Sequence, residues 1–122
     1  MTERTVLHGI GVSAGTACGP VAVVTPAVGI DNHEPASVNP EADGQRIREV
    51  LGEVASSLRE RAAHANSKAS QDVLEATAAL ATDRGLIRGV DKELKKGSGP
   101  TKAVHDAVET YANKLRKLGG YM

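Results

Sequence analysis

The chain has 122 residues, enough for one domain of ordinary size and not for two. Fifteen Lys and Arg balance fifteen Asp and Glu, which argues against a nucleic-acid binder with its basic excess. No apolar run reaches about 18 residues, so no membrane span is expected, and no secretory leader opens the N-terminus. The single cysteine, Cys18, excludes an internal disulfide and a Cys-based zinc cluster, and a reducing, cytoplasmic setting is the default. With 18 alanines and no Trp or Phe, any core is built from Ala, Val, Leu and Ile, which suits helices packed at close approach.

Residues 1–26 are apolar and Gly-rich. Val6, Leu7 and Ile10, then Val21, Ala22, Val23 and Val24, read as two short strands joined by a loop. Two strands alone are marginal in water, so they are expected to belong to an incomplete neighbouring α/β domain. Residues 27–39 form a connector, with Pro35 and the polar centre Asp31-Asn32-His33-Glu34. From residue 40 to 122 nearly everything favours helix.

The first helix opens with Asn39 as N-cap, Pro40 at the first helical position and Glu41 in the first turn. Ile47, Val50, Leu51, Val54 and Leu58 share its apolar face, and it ends near Asn66. A second helix is expected over 70–82, with Val73, Leu74 and Leu80 among small residues. Asp83 caps a third, in which Leu86, Ile87, Val90 and Leu94 share a face and Gly97 supplies the left-handed stop. A fourth follows Gly99-Pro100 from Thr101, with Val104, Ala107, Val108, Tyr111, Leu115 and Leu118 at helical spacing. The expected fold is therefore mainly α, an antiparallel four-helix bundle over residues 40–122 preceded by two strands. The close on Gly119-Gly120-Tyr121-Met122 reads as a cut rather than a solvated tail.

The residues carry no catalytic constellation. Gly9-Ile10-Gly11-Val12-Ser13-Ala14 lacks the third glycine of a dinucleotide fingerprint, and Gly19-Pro20 interrupts any helix that would follow. His8, His33, His64 and His105 offer no i, i+4 pair of a zinc-binding helix. Cys18, after Ala17 in an apolar stretch, reads as a small buried hydrophobe. On chemistry alone the chain is a binding module and not a complete enzyme.

The order of the pieces is more informative than any one of them. Gly9-Ile10-Gly11-Val12-Ser13-Ala14-Gly15-Thr16-Ala17-Cys18-Gly19-Pro20-Val21, a connector and then helices resemble the N-terminus of Enzyme I of the bacterial sugar phosphotransferase system, the phosphoenolpyruvate–protein phosphotransferases. Leu74-Glu75-Ala76-Thr77-Ala78-Ala79-Leu80-Ala81-Thr82-Asp83 is similar to that family's Phe-Glu-Ala-His-x-Met-Leu-Leu-x-Asp helix, with Thr77 in place of His and Ala79 in place of Met. Tyr121-Met122 resembles a third point, inside the family's long last bundle helix.

The resemblance implies a helical domain that binds the phosphocarrier protein HPr, inserted into a swivelling phosphohistidine domain to which residues 1–26 would belong. The family's reactive histidine lies in a Gly-Gly-x-Thr-Ser-His type motif that no histidine here matches, so this stretch should be catalytically inert and hold no cofactor. Magnesium is implied only for the full-length enzyme. The carried-over HPr surface comprises the apolar Ala79, Leu80, Leu86 and Leu115 with the acidic Glu75, Asp83 and Asp72. Core burial is the competing role of the four apolar positions, most of all Leu115, which continues the Val104–Tyr111 stripe. Arg84-Gly85 stands where the family is often acidic. A monomer is expected for this stretch and a homodimer for the full-length family. The competing reading is a self-contained helical scaffold that assembles through its apolar N-terminus.

Overall fold

The computed structural model describes residues 3–119. Its order is α1 (Pro40–Ala63), α2 (Lys68–Ala81), α3 (Arg84–Lys95) and α4 (Pro100–Leu118). Each start follows from local chemistry. Asn39 accepts from the Ala42 amide at 3.2 Å and Pro40 takes the first turn, where a missing N–H costs nothing. Ser67 caps α2 by accepting from Ser70 at 3.1 Å, two residues earlier than the expected start. Asp83 caps α3 through the amides of Gly85 and Leu86. At the other end of α3, Gly97 takes a φ of +97°, which a side chain would resist.

The helices form two hairpins. Loops of about four residues turn α2 back along α1 and α4 back along α3. The largest contiguous core lies on α3. Leu86, Val90 and Leu94, four residues apart, are buried against Ala103 and Ala107 of α4, with Ile47, Val104 and Tyr111 packed at the margin. On the flank of α3, a Cβ added to Gly89 would stand 3.4 Å from that of Ala107, so the helices meet closely there. Between α1 and α2 the buried side chains are Ala55, Ala62 and Ala78. An ion pair at 3.1 Å from Arg48 to Asp91 joins α1 to α3; half-exposed, it is worth about 1 kcal/mol at most.

Two expectations are corrected. No strand forms among the described residues: Val6, Leu7, Ile10, Val12, Val21, Val23 and Val24 lie in irregular backbone and are exposed. A ladder needs partners, and no other strand is present here to supply them. The helices also fall short of a closed bundle, because α2 packs along α1 and barely meets α3 or α4. Its covered stripe is narrow, running through Gln71, Leu74, Ala78 and Ala81. The apolar face of α1 is divided as well. Gly44, Ala55 and Ala62 are buried, whereas Val54 is exposed and Val50 borders a groove of about 400 Å³ whose other lining includes Pro100 and Val104 of α4.

The alanine contact between α1 and α2 can be tested by size. Ala78→Leu should overpack it and cost about 1–3 kcal/mol in thermal unfolding followed by circular dichroism. Ala76→Leu, on the exposed side of the same helix, should stay within about 0.5 kcal/mol of the parent.

Candidate docking surface

Since α2 spends one stripe on α1, its remaining faces are open. Helical spacing divides them in two. Ala69, Val73, Ala76 and Leu80 recur at i, i+4, i+7 and i+11 and form an apolar stripe, with Val73 65% and Leu80 43% exposed. Asp72, Glu75 and Ala79, at i, i+3 and i+7, form an acidic edge beside it. Lys68 pairs with Asp72 at 2.8 Å, both well exposed, so among the described residues Glu75 is the unpaired carboxylate of this edge.

The structure distributes the seven expected site residues unevenly. Ala79, Leu80, Glu75 and Asp72 are all on the open side of α2. Asp83 is half-buried in the turn into α3. Leu86 is 7% exposed and belongs to the core, because α3 turns its one strong apolar stripe onto α4 and α1; it is corrected from surface to support. Leu115, expected to favour the core, is 44% exposed near the end of α4, a helix that does not lie along α2. The stripe of α4 is covered only as far as Tyr111, where α3 ends its overlap.

Asp83 is held as a carboxylate by its surroundings. The Gly85 amide at 2.7 Å lowers its pKa most, the Tyr111 phenol adds to this, and the Leu86 amide at 3.3 Å contributes less. The same proximity raises the Tyr111 pKa, chiefly because ionisation would cost the phenol its hydrogen bond to Asp83. The side chain that looked like a docking charge is thus already committed to starting α3 and to linking it with α4.

A feature not anticipated from the sequence lies on the outside of α3. Arg84, Arg88, Lys92 and Lys95 recur at i, i+4, i+8 and i+11, opposite the buried Leu86, Val90 and Leu94. None of the four is ion-paired among the described residues. A shallow cleft of about 190 Å³ between α3 and α4 adds Lys96 and Lys114 beside Lys92. The cation spacing was the available signal. Net neutrality therefore conceals a cationic outer face on α3, while α2 carries Asp72 and Glu75 against Lys68.

Among the described residues no group of three His, Cys, Asp or Glu converges to hold a metal ion. His64 ends α1 with Nδ1 at 2.9 Å from the Glu60 carbonyl, and His105 Nδ1 lies 3.3 Å from Asp106. Cys18 is exposed rather than buried, because the segment around it packs on nothing. No helix of the described residues is long and apolar enough to cross a membrane.

The Asp83 cap carries a pH signature. A lowered folded-state pKa contributes stability above the ordinary carboxylate value near 3.8 and loses it as pH falls through the lower, folded value. Asp83→Asn keeps a capping oxygen but not the charge. Its deficit in melting temperature relative to the parent should be largest at neutral pH and shrink on acidification.

Comparison with known proteins finds similarity along nearly the whole chain. The family described as PEP-utilising enzyme, N-terminal, matches residues 8–122. The phosphoenolpyruvate-protein phosphotransferase of Streptomyces coelicolor is 36% identical over 123 residues, which cover 98% of this chain and 21% of that protein. The chain thus spans about a fifth of the length of this relative. No solved structure matches. A match over nearly the whole chain, together with helices starting where its capping residues stand, leads to one conclusion: the chain belongs to the N-terminal family of the PEP-utilising enzymes.

Proposed function

We propose that residues 40–122 are a docking module for the phosphocarrier protein HPr, within a protein that passes a phosphoryl group from phosphoenolpyruvate through a phosphohistidine to HPr, the first step of sugar uptake in the cytoplasm. The observation that carries this reading is the open face of α2, where an exposed Leu80 stands between an apolar stripe and an acidic edge in a chain of this family.

In this reading the chain binds and positions but does not catalyse, since none of its four histidines has the context of the reactive one. Phosphoryl transfer depends on in-line placement and charge stabilisation, and a rigid helical platform supplies the placement. Leu80 and Ala79 are the apolar contacts, with Leu86 supporting from the core. Glu75, with Asp72 and Asp83, steers a basic partner face, and Leu115 extends the contact to α4. The outer face of α3, bearing Arg84 and Arg88, limits the acidic part of the surface to α2 and the turn after it.

In this reading residues 1–26 are the strand-forming part of the neighbouring swivelling domain, which would pair only within that domain's sheet. Their support is the row of large apolar side chains that nothing covers. A row of this kind is the composition a strand needs when a sheet is present to receive it. The isolated chain is a monomer and the whole protein a homodimer, and the phosphoenolpyruvate and magnesium site lies outside this stretch.

The test is an NMR titration of the labelled chain with unphosphorylated HPr from the same organism. Saturable shifts centred on Ala79 and Leu80, weakened by added salt, are expected. Leu80→Asp should weaken binding by roughly tenfold or more, the scale of losing an apolar anchor. Absence of shifts at millimolar HPr with the helices folded would leave the reading without support and favour a scaffold role.

A further inference from the structure

Helix α4 has an unusual start. Its N-cap is Gly99, which offers no side chain, and Pro100 has no N–H to satisfy. The Ala103 amide reaches the Gly99 carbonyl at 2.9 Å, so the donors left over are Thr101 and Lys102. Both are met by one residue from far away in the sequence. The Oε2 atom of Glu34 accepts from Thr101 N at 2.9 Å and from Lys102 N at 3.3 Å. A carboxylate at this position is also favoured by the helix dipole.

The surroundings fit the contact. A Cβ on the buried Gly99 would stand 2.5–2.7 Å from three atoms of the Glu34 side chain, so glycine makes the space that the carboxylate occupies. Upstream, the Asp31 side chain accepts from the His33 amide at 2.8 Å and its carbonyl from the Glu34 amide at 3.2 Å, a turn that aims Glu34 at α4. Downstream, the Ser37 amide donates to the Ser98 carbonyl at 3.3 Å, and its hydroxyl donates to Asp43 in the first turn of α1. The segment 31–39 is thus tied to the starts of two helices. Before it the ties end. Residues 3–29 are exposed, and nothing lies within 4 Å of a Cβ placed on Gly9, Gly11, Gly15, Gly19 or Gly29.

We infer that Glu34 is a positioning residue, a cap supplied across the fold that straps the connector to α4 and fixes where residues 3–30 leave the helical unit. The strap itself stands on this geometry alone. Its consequence for phosphoryl delivery, setting the direction from which a domain built on residues 3–26 approaches the α2 surface, rests on the docking reading above.

The experiment uses the 15N-labelled full chain, its Glu34→Ala and Glu34→Gln variants, and Gly99→Ala, which blocks the carboxylate from the other side. The readouts are the heteronuclear NOE of residues 32–37 and amide exchange of Thr101 and Lys102. In the parent, NOE values for 32–37 should match those of the helices and exceed those of 3–29. Glu34→Ala and Gly99→Ala should both drop them to the level of 3–29, and amide exchange should quicken by roughly tenfold, the equilibrium equivalent of one charge-assisted hydrogen bond. Glu34→Gln, which keeps an acceptor oxygen, should restore part of the effect. Unmoved resonances of Leu86, Val90 and Leu94 would show that the core is intact. Connector NOE values that are low in the parent, or unchanged in Glu34→Ala, would overturn the strap. Because no partner takes part, HPr docking could fail while the strap stands, and the reverse.

Discussion

Close approach between helices is the constraint on which this structure depends. A chain without Phe or Trp cannot bridge wide gaps with large side chains, so its helices must meet through small ones. Ala55, Ala62 and Ala78 let α1 and α2 touch, while Gly89, Ala103 and Ala107 do the same for α3 and α4. Only Leu86, Val90 and Leu94 contribute substantial buried bulk, all from a single stripe of α3. A core this thin leaves other apolar residues at the surface, and the open stripe of α2 is one result. The architecture that limits the core therefore also supplies the face a partner could use.

Charge follows the same division. With the interior built from hydrocarbon, and no buried polar or charged residue in the described part, every ionisable group is left near the surface. There Asp72 and Glu75 stand on the open side of α2, and cations line the back of α3. Asp83 sits in the turn between them, half-buried, where it caps α3. A residue at an element boundary can serve the fold and a partner alike, and the Gly85 amide at 2.7 Å with the Leu86 amide at 3.3 Å sets the first of these roles for Asp83.

Much of the helical layout was legible because helix starts are encoded locally. Asn39-Pro40, Asp83 and Gly99-Pro100 each announce a start through chemistry confined to one turn, and all three starts lie within a residue of expectation. The alanine contacts were not legible, since Ala55 and Ala78 differ in the sequence from the exposed Ala76 only by a rotation about the helix axis. Val50 misled in the opposite sense: its periodicity is correct, but the surface it would pack on stands apart across a groove. Strands in residues 1–26 were read from Val and Ile content, which describes the capacity of a segment to pair and not the presence of a neighbour. Of the site, the α2 residues came from the resemblance and their exposure from the structure. Glu34 could not be read at all, because its partners lie 67 and 68 positions away.

The pairing of neighbours in sequence, α1 with α2 and α3 with α4, bears on how the chain acquires its shape. Most contacts close short loops, the regime in which chains organise on the microsecond-to-millisecond scale. Synthesis on the ribosome adds about 5–20 residues per second, slower by orders of magnitude. Each hairpin thus has time to form as it emerges, the first being able to close before the second is complete.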